Sequence, residues 1–194
     1  MTTPTVAVLG AGLWGTTLAA LLAGNGVAVR QWERETAVVD AMRATRENTR
    51  YLPGIRLPEN LQATTEMAEA VRGAECIIST TPTQYVRGVM RDLAALGVTL
   101  PPLISVSKGI EIATGKRPSE IIHDELPDVA ALAVLSGPDI ALEIAQGRPA
   151  ATVIASANAA LATRAQRLFH TPTFRPYTSC DMVGVETCGA VKNV

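Results

Sequence analysis

Three glycines near the start of the chain have the spacing of a phosphate-binding turn. Gly10, Gly12 and Gly15 follow the apolar run 6–9 and open a stretch, 16–22, whose apolar residues have helical spacing. In a dinucleotide-binding unit the first glycine allows the turn, the second lets the backbone approach a pyrophosphate, and the third lets helix and strand pack closely. Amides at the helix N-terminus favour the anion. A strand, this turn and a helix in succession therefore predict a nucleotide site, and a glycine-rich turn without a ligand is the alternative.

The next strand-like run, 27–32, ends where a dinucleotide-binding unit selects its cofactor. Glu33 and Arg34 lie there, about twenty residues after the first glycine. A carboxylate at this position accepts hydrogen bonds from the ribose 2′-OH of NAD, and an arginine accommodates the 2′-phosphate of NADP. Both residue types are present, so NAD and NADP both stay open. Arg34 is the better placed for a 2′-phosphate, which slightly favours NADPH, and a solvated strand end is the alternative.

Two further stretches could hold an anion. Lys108 follows the strand-like run 103–106, where it could offer a cation to an anionic substrate, although a solvated surface charge fits equally well. Pro138 suits the first turn of a helix over 139–146, whose N-terminal amides would form a second anion site.

The stretch 48–60 has no periodicity and is predicted to be a functional loop.

Strand-like apolar runs alternate with helical segments along almost the whole chain. The predicted strands are 6–9, 27–31, 76–79, 103–106, 131–135, 152–155 and 173–177, and the predicted helices include 83–95, 139–146 and 159–169. Near-continuous apolar strands separated by helices indicate a parallel sheet covered on both faces. The sequence predicts an α/β fold with a Rossmann-like, doubly wound and mostly parallel sheet.

Composition narrows the classes of function. The 194 residues carry 17 Lys and Arg against 18 Asp and Glu, and the basic residues are scattered, which disfavours a nucleic-acid partner. No apolar run reaches the ~18 residues of a membrane span, and the first residues lack a signal peptide's basic region, so we expect a cytoplasmic protein. Cys76 lies in an apolar run and is predicted to be a core thiol, while His123 and His170 have no ligand spacing, so no metal site is predicted.

Several motifs together resemble one family, the bacterial soluble NAD(P)-dependent glycerol-3-phosphate dehydrogenases. The matching stretches are 10–16 (GAGLWGT), 51–58 (YLPGIRLP), 107–111 (SKGIE), 135–138 (LSGP) with Ala141 and Glu143, 184–186 (GVE), and 189–194 (GAVKNV). They occur in the family's order and span nearly the whole chain. The resemblance implies reversible reduction of dihydroxyacetone phosphate to sn-glycerol 3-phosphate for glycerophospholipid synthesis, with NAD or NADP as cofactor, and a homodimer is compatible with it.

The resemblance also implies roles for individual residues. Cofactor contacts would come from the three glycines of the turn and from Leu13, Trp14, Arg34, Lys108 and Ala141; substrate contacts would come from Lys108, Gly137 and Asp139. Lys192 would be the catalytic acid and Lys108 its electrostatic partner.

Two positions depart from the family pattern. Leu13 stands where serine is common, which costs a possible hydrogen bond to phosphate. Asp139 stands where serine or asparagine is usual. A carboxylate there would repel a substrate phosphate unless it turns away or caps the helix.

Residues 1–180 are predicted to form the NAD(P)-binding domain, and 181–194 the first part of a helix that leads into a C-terminal helical domain. In the family that domain supplies further substrate contacts, and this chain lacks it, so we expect weak dinucleotide binding, little catalysis and self-association through exposed helix residues. Another enzyme of this build, such as a ketopantoate reductase or a UDP-sugar dehydrogenase, would lack the lysine motifs. A non-catalytic dinucleotide-binding or sensor module is the second alternative, and the presence of both Lys108 and Lys192 argues against it.

Overall fold

A computed structural model describes residues 4–192 of the chain. In chain order the strands are β1 (Thr5–Leu9), β2 (Ala28–Trp32), β3 (Glu47–Asn48), β4 (Leu52–Arg56), β5 (Leu61–Thr64), β6 (Cys76–Ser79), β7 (Leu103–Ser105), β8 (Leu132–Ser136), β9 (Ala150–Ala155) and β10 (Phe174–Ser179). The helices are α1 (Leu13–Gly24), α2 (Thr36–Thr45), α3 (Met67–Val71), α4 (Thr83–Ala94), α5 (Pro118–Glu125), α6 (Ala141–Ala145), α7 (Ala159–Phe169) and α8 (Met182–Val191).

Eight strands form one sheet in the order β10-β9-β8-β7-β6-β1-β2-β5. Neighbouring strands are parallel except β8 and β9, which are antiparallel. The predicted Rossmann-like, mostly parallel sheet is therefore confirmed. The chain passes from β1 to β2 on one side and later returns to β6 on the other, which places a topological switch point at the carboxyl end of β1, where ligands bind in such sheets.

Both faces of the sheet are buried. Along β1, Val6 and Val8 belong to one hydrophobic cluster while Ala7 and Leu9 belong to the other. The first cluster joins the sheet to α1, α2 and α7, and the second joins it to α3, α4 and α5. The central strands β1, β6, β7 and β8 are buried almost throughout, so their sequences are mostly apolar rather than alternating, which is why they were predictable.

The predicted strands are all present, with ends shifted by at most two residues, but the stretch 48–60 is not a loop without periodicity. It contains most of the antiparallel β3–β4 hairpin and leads to the edge strand β5. Pro53 and Gly54 in β4 are residue types that are unfavourable in a central strand of a sheet. They are tolerated here because a two-stranded hairpin leaves one edge of each strand free.

The predicted helix over 139–146 is shorter than expected, and the anion site at its N-terminus stays a prediction. Helix α6 begins at Ala141, after Ile140 as N-cap, and Pro138 is exposed ahead of it. Two of the residues before the helix are bound to Lys108, because its ammonium group donates to the carbonyl of Gly137 and to the carboxylate of Asp139. The chain therefore becomes helical only beyond these contacts.

Cys76 is confirmed as a core thiol. It is buried in β6, and burial raises its pKa to about 12, which leaves almost no thiolate at neutral pH. His123 and His170 are both exposed. Residues 4–192 contain no cluster of three or more His, Cys, Asp or Glu that could hold a metal ion, and over the same range no helix is long and apolar enough to cross a membrane.

An arginine-centred ion cluster ties α4 to α5 and to the loop after β7. Arg87 donates hydrogen bonds to Glu111 (Nη2 to Oε2, 2.7 Å) and to Glu125 (Nη1 to Oε1, 2.6 Å). Hydrogen bonds from Arg87 and, to a smaller extent, from Thr114 hold the pKa of Glu111 below its ordinary value. Those from Arg91 and then Arg87 lower the pKa of Glu125 in the same way. A carboxyl group whose pKa is lowered by folding stabilises the folded state at any pH above its pKa in the unfolded chain, which is near 4.3. That contribution is lost as the pH falls through the pKa of the folded state.

We expect Arg87→Met to lower the melting temperature at pH 7 by about 5 °C, because it leaves the nearly buried Glu111 carboxylate without its ion pair. The difference from wild type should shrink below about pH 4.5 and vanish near pH 2, where the carboxyl groups are protonated in both proteins. Thermal unfolding followed by circular dichroism across this range measures it. Arg164→Met is the matched control, because its ion pair with Glu75 is half exposed and should contribute little. A constant difference at all pH values would contradict the prediction.

Candidate active site

The glycine turn lies at the switch point, between β1 and α1. Gly10 has φ +113°, in the region that favours glycine, and a Cβ there would lie 2.7 Å from Thr80 Oγ1. A Cβ on Gly15 would overlap the carbonyl oxygen of Gly10 and lie 2.5 Å from the same Thr80 oxygen. At Gly12, the N-cap of α1, a Cβ would meet no protein atom within 4 Å. The fold itself requires glycine at the first and third positions, and the space at the second is open to a ligand.

Polar side chains from distant parts of the chain hold this turn. Asn48, fully buried at the start of the hairpin, donates from Nδ2 to the Ala11 carbonyl and to Thr16 Oγ1, both at 2.8 Å. Gln31 of β2 donates to the Gly10 carbonyl (2.8 Å), and Thr80 after β6 donates to the Leu9 carbonyl (2.9 Å). The sequence placed the turn that begins at Thr80 beside the cofactor, but it did not predict that any of these three side chains holds the glycine turn. Gln31 could have been found as a polar residue inside an apolar strand, whereas nothing near Asn48 signals its partner 37 residues away.

A cleft of about 640 Å³ opens beside the turn. It is lined by the three glycines, Leu13, Trp14, Arg34, the end of β2, Tyr51 of the hairpin, and the turn 80–82 that follows β6. Leu13 is 41% exposed at the start of α1. The cleft therefore brings together every residue of the predicted cofactor set except Lys108 and Ala141.

The two residues predicted to select the cofactor have different partners. Glu33 Oε2 accepts a hydrogen bond from the Ala11 amide at 2.7 Å, so this carboxylate is bound directly to the glycine turn. Arg34 instead forms an ion pair with Asp92 of α4 at 2.9 Å, and its guanidinium lies 5.8 Å from the centre of the Trp32 ring.

A second, smaller cavity of about 280 Å³ adjoins the cleft. Trp14 and the turn 80–82 line both, and the other lining residues are Val106, Ser107, Lys108, Asp139, Ala141 and Lys192. Lys108 Nζ lies 5.9 Å from the centre of the Trp14 ring. Residues from the start of α1 and from the segments after β6, β7, β8 and α8 thus meet at one place, which we call the lysine pocket.

Lys108 is held firmly in the lysine pocket. Its Nζ donates to the Gly137 carbonyl at 2.8 Å and to Asp139 Oδ2 at 3.2 Å, and Thr152 Oγ1 donates to the same Asp139 oxygen at 3.3 Å. Only 1% of the Asp139 side chain is exposed. Burial raises the pKa of Asp139 above its ordinary value, and the charge of Lys108 partly opposes that rise. Asp139 therefore does not cap α6; it turns towards Lys108.

Helix α8 carries Lys192 to this pocket. Asp181 caps the helix by accepting from the Gly184 amide at 2.8 Å. One turn later the buried carboxylate of Glu186 accepts from the Ser119 amide (2.8 Å) and from Arg117 (2.8 Å), which anchors α8 to the start of α5. Lys192 is exposed and, within residues 4–192, has no hydrogen bond or ion pair. Sequence reasoning included Glu186 in a matching motif but gave it no role; Asn193 and Val194 of the predicted helix lie outside the described residues.

The sequence and the fold of this chain match those of known proteins. The family model for the N-terminus of NAD-dependent glycerol-3-phosphate dehydrogenase matches residues 5–162. A glycerol-3-phosphate dehydrogenase [NAD(P)+] of Streptomyces avermitilis is 46% identical over 197 residues, which cover 100% of this chain and 58% of that protein. The protein of the same name from Chlorobium limicola is 42% identical over 191 residues, covering 97% of this chain and 57% of that protein.

A solved structure agrees with both sequence matches. The crystal structure of glycerol-3-phosphate dehydrogenase from Coxiella burnetii superimposes with a TM-score of 0.93 at 36% identity, covering 98% of this chain and 58% of that one. The chain thus spans less than two thirds of the relatives it matches. It belongs to the family of NAD-dependent glycerol-3-phosphate dehydrogenases, whose N-terminal region it matches.

Proposed function

We propose that this chain is the dinucleotide-binding part of an NAD(P)-dependent glycerol-3-phosphate dehydrogenase. The enzyme would interconvert dihydroxyacetone phosphate and sn-glycerol 3-phosphate, in the cytoplasm, for glycerophospholipid synthesis. One observation carries the proposal: the glycine cleft and the lysine pocket share Trp14 and the turn 80–82. A dinucleotide lying along the cleft would present its far end to Lys108 and Lys192.

The cleft fits a dinucleotide. The amides at the start of α1 face the open space at Gly12, where a pyrophosphate would be held by backbone donors and the helix dipole. The indole Nε1 of Trp14 is buried and has no hydrogen-bond partner among the described residues, so a bound group could accept from it. When bound, NADH or NADPH would supply the hydride for reduction of the ketone.

The two lysines divide the remaining chemistry. Hydride addition to the C2 carbonyl of the substrate builds negative charge on its oxygen, which must be stabilised and protonated. Lys108, fixed by Gly137 and Asp139, provides a positioned positive charge. Lys192, exposed at the rim of the same pocket, holds the proton that the oxygen receives, and the alcohol results. In the reverse direction Lys192 accepts that proton.

Asp139 acts as a positioning residue rather than as a phosphate ligand. Its carboxylate would repel a phosphate, but it is turned onto Lys108 and buried. Gly137 contributes its carbonyl to the same ammonium group. The substrate phosphate would therefore lie away from Asp139. A homodimer and self-association through the exposed Val183 and Val191 of α8 belong to the same proposal.

Titration of the chain with NADH and with NADPH tests the proposal, with Trp14 and Trp32 as fluorescent reporters in the cleft. We expect saturable quenching by at least one of them. A fusion of residues 1–192 to the C-terminal part of the Streptomyces avermitilis relative should then oxidise the reduced nicotinamide when dihydroxyacetone phosphate is added. A folded chain that binds neither dinucleotide would overturn the proposal. Binding without turnover in the fusion would favour the non-catalytic sensor module.

A further inference from the structure

We propose that Glu33 makes this site select NADH over NADPH. The inference rests on the proposed dinucleotide site and goes beyond it, because the family relationship leaves the choice of cofactor open. It also weighs against the slight preference for NADPH that Arg34 suggests on sequence. The argument depends on how Glu33 is held and on the charges around it.

Three backbone amides fix the Glu33 carboxylate at the end of β2. Oε2 accepts from Ala11 in the glycine turn at 2.7 Å, and Oε1 accepts from Arg34 at 2.7 Å and from Glu35 at 3.3 Å. A carboxylate offers about four lone-pair sites, so Oε2 keeps one for a further donor. At this end of β2 the group that approaches is the adenosine ribose, whose 2′-OH is such a donor. Glu33 can therefore bind the ribose of NADH without giving up the contacts that hold it.

The arginines near Glu33 are already paired with other carboxylates. Arg34 pairs with Asp92, and Arg50 pairs with Glu35, which also accepts a hydrogen bond from the Tyr51 hydroxyl at 3.0 Å. Each guanidinium charge is thus balanced by its own carboxylate, and the Glu33 carboxylate, which has no ion pair within residues 4–192, is left as the unbalanced negative charge at the end of β2. A phosphate monoester would bring about 1.5 to 2 further negative charges. The 2′-phosphate of NADPH would therefore meet repulsion where the hydroxyl of NADH meets an acceptor.

Arg34 is the less constrained of the two candidate determinants. Its side chain is 65% exposed and that of Asp92 is 57% exposed, and exposed ion pairs of this kind contribute little. Arg34 could thus leave Asp92 and reach a phosphate at small cost. Glu33 could not leave as easily, because three amides would lose their acceptor. The residue that is fixed by the backbone sets the preference, and the exposed arginine only moderates it.

Fluorescence titrations of wild type and variants with NADH and NADPH test the inference. We expect wild type to bind NADH about tenfold more tightly than NADPH at low ionic strength. Glu33→Gln keeps the size and can still accept from the Ala11 amide through its oxygen, but removes the charge. It should weaken NADH binding, strengthen NADPH binding and bring the ratio of the two Kd values to about one. Raising the salt concentration should lower the ratio in wild type but not in Glu33→Gln.

Asp92→Asn is the matched variant, because it frees Arg34 without touching the glycine turn. It should change the ratio of Kd values by less than about threefold. A full loss of the NADH preference in Asp92→Asn, or a wild type that binds NADPH as tightly as NADH, would overturn the inference while leaving the dinucleotide site intact. If Glu33→Gln does not fold by circular dichroism, the salt dependence of wild type and the Asp92→Asn ratio still decide. If neither dinucleotide binds, the result would instead contradict the proposed function itself.

Discussion

Replacing Lys192 with alanine is expected to lower the rate of dihydroxyacetone phosphate reduction in the fusion protein by about a thousandfold. Lys192 lines the lysine pocket beside Lys108 but, unlike it, has no protein partner among residues 4–192. An ammonium group without internal hydrogen bonds is free to transfer its proton, whereas the charge of Lys108 is tied to Gly137 and Asp139. The loss should therefore appear in kcat, measured from the oxidation of NADH at saturating substrate, with little change in the Kd of NADH.

The matched control is Lys116→Ala, because Lys116 is a partly exposed lysine that pairs with Asp124 outside the cleft. It should leave the rate unchanged. Added ethylamine should partly restore the rate of Lys192→Ala, because a free amine can occupy the space of the deleted side chain and donate the proton. A loss of less than tenfold in Lys192→Ala, or a loss without any rescue at several amine concentrations, would assign the proton transfer to another group.

The parts of this fold that could be predicted are those whose signal is local. Strand β1, the glycine spacing and α1 follow one another within twenty residues, and burial on both faces makes the strands apolar throughout. The hairpin β3–β4 and the edge strand β5 were not predicted. Their apolar residues are few, and Pro53 and Gly54 interrupt them. The hairpin is held beside the glycine turn through Asn48 and β5 pairs with β2, so both depend on contacts with distant residues rather than on a local signal.

The site divides in the same way. The glycines, Trp14 and Lys108 could be assigned from spacing and resemblance, because each lies directly after a strand or opens a helix. Asn48 could not, since its role depends on a hydrogen bond to the Ala11 carbonyl, which only the folded chain brings near. Asp139 shows an intermediate case. The sequence predicted that a carboxylate there must turn away or cap a helix, and the structure selects the first, because Lys108 offers a partner inside the pocket.

Alanine substitutions at Gly12 and Gly15 should separate binding from folding. At Gly12 a Cβ meets no protein atom within 4 Å, and φ is −65°, which any residue can adopt. Gly12→Ala should therefore fold with a free energy of unfolding within about 1 kcal/mol of wild type, the usual cost of alanine at an N-cap. It should nevertheless weaken NADH binding by about a hundredfold, because the methyl group occupies the space through which the pyrophosphate approaches the backbone.

Gly15→Ala should have the opposite profile. Its Cβ would overlap the Gly10 carbonyl and press on Thr80, so the helix would have to move away from β1. Overpacking of this kind costs about 1–3 kcal/mol, and urea unfolding measures it. Gly24→Ala is the control for both, because Gly24 ends the same helix, is exposed and has no atom within 4 Å of a Cβ. It should change neither stability nor binding by much. Normal NADH binding by Gly12→Ala would show that the pyrophosphate does not approach this turn, because the fold gives no other reason for a glycine at that position.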